Sequence, residues 1–227
     1  MGFVSMGLDI GQKHDPTAIA VVEAEPRGLV WHFVARHLER LPLGTPYPEV
    51  AQRVAAVAAG VAAKADGWPD LYVDATGVGT PVTDMLAAAG LRARLVPVTF
   101  THGDRRLVQL DGSVSLGKAF LVSRLQVLLQ YGRLHLPQTA EAAALARELL
   151  DYEIHVDQDA NDKYGAFRVG AHDDLVTALG LATMDDPPEP FDAVASLDLL
   201  PYQPYARERP AYAGGGEYRG RREPGNW

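Results

Sequence analysis

The sequence predicts an α/β domain with a mixed central sheet, a three-stranded antiparallel meander joined to parallel strands and flanked by helices. Three observations predict it. Short apolar or alternating runs follow one another between residues 3 and 37 with only turns between them, the mark of a meander. Strand-like and helix-like periods then alternate, as in a sheet crossed over by helices. The 227 residues supply one substantial core and are too few for two large ones.

Taken in order, Phe3 to Ile10 predicts a buried strand, Gly11 to Pro16 a turn, and Thr17 to Ala24 a second strand of small and β-branched residues. Pro26-Arg27-Gly28 signals a turn, and Leu29 to His37 alternates as a third strand. From Tyr47 to Ala65, Val50, Val54, Val57 and Val61 recur at helical spacing. Leu71 to Asp74 predicts a strand, Thr80 to Ala89 a helix with Pro81 in its first turn and Gly90 closing it, and Ala93 to Val98 another strand. Val114 to Tyr131 predicts a long apolar helix, Arg133 to Leu136 a short edge strand, and Thr139 to Leu150 a helix capped by Thr139. Tyr152 to Val156 and Tyr164 to Val169 predict a hairpin around a polar tip, Asp157 to Lys163. The last helix opens at His172-Asp173-Asp174 and runs to about Met184.

Composition shifts after Asp186. Pro187, Pro188, Pro190, Pro201, Pro204, Pro210 and Gly214 to Gly216 interrupt any regular element. The expected division is a folded domain over residues 1–186 and a flexible Pro/Gly-rich tail over residues 187–227. The absence of cysteine excludes disulfide frameworks, thiolate zinc sites and cysteine nucleophiles. No run reaches the roughly 18 apolar residues that cross a bilayer, so no membrane association is expected. With no basic start and apolar stretch at the N-terminus, the expected location is cytoplasmic. A formal net charge of −8 argues against a protein that coats nucleic acid by charge alone, but not against an enzyme that contacts it briefly.

Chemistry-bearing residues fall at element ends. Asp9 ends the first strand, Asp74 ends another, and Asp173 and Asp174 open the last helix. If the two strands are neighbours, their ends lie about 5 Å apart and both carboxylates leave the same sheet edge. Carboxylates gathered there repel one another unless cations neutralise them. Oxygen donors without cysteine select two divalent cations, Mg²⁺ or Mn²⁺, suited to in-line hydrolysis of a phosphodiester. His172 and Asp15 are candidates for the outer shell of such a site, and Lys13, Arg105, Arg106 and Lys163 for phosphate contacts. Each aspartate also has a plainer reading. Asp9 and Asp74 are good turn formers, Asp173 is a good helix cap, and Asp174 complements the helix dipole.

Three segments resemble one family. Gly7-Leu8-Asp9-Ile10-Gly11 through Asp15-Pro16-Thr17-Ala18-Ile19-Ala20 is similar to the opening of the nuclease domain of phage terminase large subunits. Val73-Asp74-Ala75-Thr76-Gly77-Val78-Gly79 resembles its second acidic strand, and Gly170-Ala171-His172-Asp173-Asp174-Leu175-Val176 its Gly-x-His-Asp-Asp helix start. The resemblance spans about residues 5 to 184. It implies a ribonuclease H-like fold and an acidic two-metal site of Asp9, Asp74, Asp173 and Asp174. It also implies cleavage of double-stranded DNA during viral genome packaging, and so action in the host cytoplasm. The third essential acid matches either Asp173 or Asp174. This sequence contains no Gly-x-x-x-x-Gly-Lys-Ser/Thr loop, so the resemblance covers the nuclease and not the ATPase motor. A separate packaging ATPase or a portal protein is the implied partner. The nearest alternative is a Holliday-junction resolvase-like nuclease. An actin-like or sugar-kinase-like ATP-binding protein shares the turn motifs but needs two such domains, and a non-catalytic adaptor is a third reading.

Overall fold

The computed structural model describes residues 3–11, 15–65, 67–76, 79–151, 153–156, 162–165 and 173–187. Strands β1 (Phe3–Asp9), β2 (Ala18–Arg27) and β3 (Val30–Arg40) form the expected meander. Helix α1 (Tyr47–Ala62), β4 (Asp70–Asp74), α2 (Gly79–Ala88) and β5 (Arg94–Thr101) then alternate. Strands β6 (Arg106–Val108) and β7 (Val114–Gly117) precede α3 (Lys118–Gln130), β8 (Leu134–His135) and α4 (Ala140–Asp151). A separate hairpin, β9 (Glu153–Val156) and β10 (Asp162–Gly165), leads to α5 (Asp174–Ala182).

Among the described residues the main sheet has eight strands in the order β6-β7-β5-β4-β1-β2-β3-β8. β1, β4, β5 and β7 run parallel, and β2 is antiparallel to both β1 and β3. The carboxyl ends of β1, β3, β4, β5 and β7 therefore share one edge of the sheet. At that edge the sequence direction changes hands, β4 lying on one side of β1 and β2 on the other, where open α/β sheets place ligands.

Side-chain alternation divides the core between the two faces. Met6, Leu8, Ile19 and Leu71 pack against Val50 and Val54 of α1 and Val82 and Leu86 of α2. Ala18, Ala20, Val22 and Tyr72 belong to the opposite core, with Leu125 of α3, Leu145 of α4 and Leu175 and Leu179 of α5. Helix α5 is buried along its whole length, as its near-continuous apolar sequence requires. It lies so close to β1 that a Cβ on Gly7 would stand 1.9 Å from the Ala178 carbonyl oxygen. Only glycine fits there.

Three predicted elements differ in the structure. The helix expected from Val114 begins instead at Lys118, because Val114 and Leu116 alternate inward as β7 beside β5. Gly117 ends that strand where a side chain would strike the Gly103 carbonyl. The turn expected at Pro26-Arg27-Gly28 sits one step later, at Gly28-Leu29, with Pro26 and Arg27 still paired in β2. In the outer hairpin β10 starts at Asp162, so Lys163 pairs with His155 rather than standing on the tip. The expected cap is present: the Thr139 hydroxyl accepts the Ala142 N–H at 3.2 Å.

Candidate acidic site at the carboxyl edge of the sheet

Register places the strand carboxylates side by side. Leu8 pairs with Val73 in parallel β1 and β4, so Asp9 and Asp74, the next residues, end adjacent strands at one level. Asp9 also pairs with Ala18, and Ala18 with Arg40. Directly paired side chains project from the same face. Ala18 and Tyr72 fix that face as the one covered by α5. Asp74, Asp9, Ala18 and Arg40 thus form a row across four strands, and α5 begins above it.

The carboxylates respond to one another. Burial and then the charges of Asp74, Asp174 and Asp173 push the Asp9 carboxyl well above the usual aspartate range, with Lys118 pulling the other way. That set holds Asp74, Asp173 and Asp174 but not Asp15. The Asp74 Oδ1 accepts the Thr76 N–H at 2.8 Å, and the Thr76 hydroxyl accepts the Phe100 N–H at 2.8 Å. These bonds hold the turn after β4 against β5. The Lys118 ammonium stands 5.4 Å from the centroid of the Phe100 ring, which places a cation over the same edge.

At the start of α5 the two aspartates differ. Asp173 occupies the N-cap position, yet its side chain makes no capping hydrogen bond. Glu148 of α4 does that work, its Oε2 accepting the Leu175 and Val176 N–H groups at 3.0 and 3.2 Å. Asp174 is 2% exposed, and its Oδ2 pairs with the Arg40 Nε at 3.3 Å. The Arg40 Nη2 also pairs with the Glu148 Oε1.

A match to the family model described as the terminase RNase H-like domain runs over residues 6–185. The chain belongs to that family. Its structure is similar to the large terminase nuclease of thermophilic phage G20c, at 22% identity and a TM-score of 0.58, covering 80% of this chain and 81% of that one. Another structure of the G20c nuclease holds bound magnesium. The nuclease domain of the P22 large terminase is similar at 17% identity and a TM-score of 0.52, covering 81% and 80% of the two chains. The HK97 bacteriophage large terminase matches at 15% identity and a TM-score of 0.53, over 80% of this chain and 39% of that longer one. A comparison with curated proteins gives no match. The shared fold is the ribonuclease H-like fold that the three motifs implied.

Within this family member the other expected site residues are placed as follows. Asp15 is exposed in the turn between β1 and β2. Arg105 is exposed beside β6, whereas Arg106 is committed to Asp185, Nη2 to Oδ1 at 2.5 Å. Lys13, His172 and the tail from residue 188 lie outside the described residues, as does the hairpin tip at 157–161. Arg40, Glu148 and Lys118 join the aspartates of the site in the structure although no motif in the sequence marks them. A signal for Glu148 exists, since it continues the buried stripe Ala142, Leu145 of α4 with a charged residue. Arg40 likewise follows Leu38 on the inward face of β3.

Among the described residues no three His, Asp or Glu side chains already converge on one metal position. Asp174 pairs with Arg40, and Asp74 accepts a backbone N–H of its own turn. The donor set itself suits hard divalent cations: carboxylate oxygens on rigid strand ends and a helix start, with one carboxyl whose charged form is disfavoured by burial and by its acidic neighbours. None of the described helices is long and apolar enough to cross a membrane.

Proposed function

We propose that this chain is a metal-dependent DNA endonuclease of the terminase type, hydrolysing phosphodiester bonds of double-stranded DNA with two divalent cations, Mg²⁺ or Mn²⁺. The supporting observation is the row of Asp74 and Asp9 on adjacent parallel strand ends beneath the Asp173-Asp174 helix start. Asp9 and Asp74 would hold the cations from the sheet, and Asp173 and Asp174 from the helix. The chemistry such cations would supply is activation of a water for attack and stabilisation of the leaving 3′ oxygen. Asp9, central in the row and burdened by three carboxylates, would be the ligand on which the cations most depend. The β1 backbone, paired on both sides, keeps that carboxylate from retreating into solvent. Lys118 and the exposed Arg105 offer positive charge along the same edge for the DNA backbone, and Lys13 and Lys163 are further candidates.

The natural setting is genome cleavage during viral packaging in the host cytoplasm, with a packaging ATPase or portal protein presenting the DNA. Residues 1–186 would form the nuclease and residues 187–227 a separate tail. Supercoiled plasmid tests the activity. Mn²⁺ or Mg²⁺ is expected to support nicking with little sequence preference, and EDTA to abolish it. Full activity in EDTA would remove the mechanism, and preference for branched over linear duplex would move the assignment to a resolvase-like nuclease. ATP hydrolysis by the purified chain would instead favour the kinase-like reading.

A further inference from the structure

Arg40 ends the row that begins with Asp74 and Asp9, and Glu148 reaches it from α4. Glu148 is 7% exposed on α4, and Arg40 closes β3 two strands from Asp9. The contacting atoms of Arg40, Glu148 and Asp174 are all shut off from solvent. A buried carboxylate is costly and is tolerated only when paired and hydrogen-bonded. Glu148 meets both conditions through one oxygen on Arg40 and the other on two backbone N–H groups of α5.

From this arrangement we propose that Arg40 and Glu148 are positioning residues, a clamp from β3 and α4 that fixes the start of α5 over the strand carboxylates. The proposal rests on the nuclease reading and adds to it. The capping duty that Asp173 would ordinarily perform is transferred to Glu148, so the Asp173 carboxylate is not spent on its own helix. Asp174 is oriented from the side by Arg40, which also offsets part of the negative charge collected at the edge. Neither Arg40 nor Glu148 needs to touch substrate. Their effect passes through the two aspartates they hold, as outer partners orient metal ligands elsewhere.

The test uses the full chain and Mn²⁺ alone, by titration calorimetry without DNA, alongside the Mn²⁺ dependence of plasmid nicking. Glu148→Gln keeps the side-chain size and an acceptor oxygen but loses the charge that holds Arg40. It is expected to weaken Mn²⁺ binding by about 10- to 100-fold, with the nicking rate shifted to higher Mn²⁺ by a similar factor. Arg40→Gln is expected to act in the same direction. Arg40→Lys keeps the charge without the fork, and should recover part of the loss while folding normally by thermal melt. Folded variants with wild-type Mn²⁺ affinity and wild-type Mn²⁺ dependence, altered only in melting temperature, would overturn the clamp and leave a merely structural ion pair. Wild-type protein that neither binds Mn²⁺ nor nicks DNA would instead overturn the nuclease reading beneath it.

Discussion

Strand β4 begins and ends in aspartate, and the two ends have opposite surroundings. At the amino end, Asp70 is buried with both oxygens on Arg94, Nε to Oδ1 at 2.5 Å and Nη2 to Oδ2 at 2.6 Å. At the carboxyl end, Asp74 has a backbone N–H and adds its charge to that of Asp9. The ends of α5 repeat the contrast. Beyond its carboxyl end Asp185 takes the Tyr72 hydroxyl at 2.6 Å and Arg106, and Asp186 takes Arg124 at 2.8 Å. At its amino end Arg40 is shared between Asp174 and Glu148. Among the described residues Asp70, Asp185 and Asp186 each have an arginine of their own, whereas Asp9, Asp74, Asp173, Asp174 and Glu148 gather around Arg40 and Lys118. Acids placed for stability are matched in charge, and the surplus marks where the protein does something else.

The contrast is broken most severely by neutralising the surplus. Asp9→Asn or Asp74→Asn is expected to lower Mn²⁺-dependent nicking on the order of a hundredfold or more, in protein whose melting temperature is not reduced. A plasmid assay beside a thermal melt checks both halves. Next in size is a purely structural change that should leave the site's chemistry alone. Leu179→Ala, in the buried length of α5, is expected to cost about 2–5 kcal/mol in denaturant unfolding.

The raised Asp9 carboxyl gives a pH signature for metal-free protein. Its folded-state pKa lies above the unfolded one, so the charged form is the destabilised form. Stability should therefore fall as pH rises from about 4, the unfolded aspartate value, through the raised folded value, and stay low above it. Asp9→Asn should remove that loss in melts across pH, and an unchanged profile would show that the acids do not burden one another.

At the matched edge, Asp70→Asn should lower stability by only about 1 kcal/mol, since Arg94 is largely exposed, and leave nicking unchanged. The smallest effect is expected for Arg105→Ala, which should weaken DNA binding across all sequences and lower the salt dependence by about one phosphate contact. Filter binding at several salt concentrations would show it.

The meander and the alternating elements were legible because each carries its own period and its own turn residues. Asp9 and Asp74 were legible as strand-end acids for the same reason, and the pair at the α5 start because a helix there has an evident beginning. What periodicity could not supply was partnership. The alternation of Val114 and Leu116 is too short to outweigh the apolar helix that follows, and only pairing with β5 makes it a strand. The Leu110-Asp111-Gly112-Ser113 turn that folds β6 onto β7 carries a hairpin signal in Asp111-Gly112, but the strands it joins are too short to stand out by period. Arg106 looked like a loop cation, but its pairing with Asp185 depends on a residue far along the chain. Glu148 and Arg40 reveal their role only when α4 and β3 meet the helix they hold.

Anomalous diffraction from crystals of the full chain soaked in Mn²⁺ tests the central claim most directly. The expected result is a pair of manganese peaks bonded to Asp9, with Asp74 and the α5 aspartates completing their shells. Manganese bound only at other surfaces, with the Asp9 edge empty at saturating metal, would contradict the account.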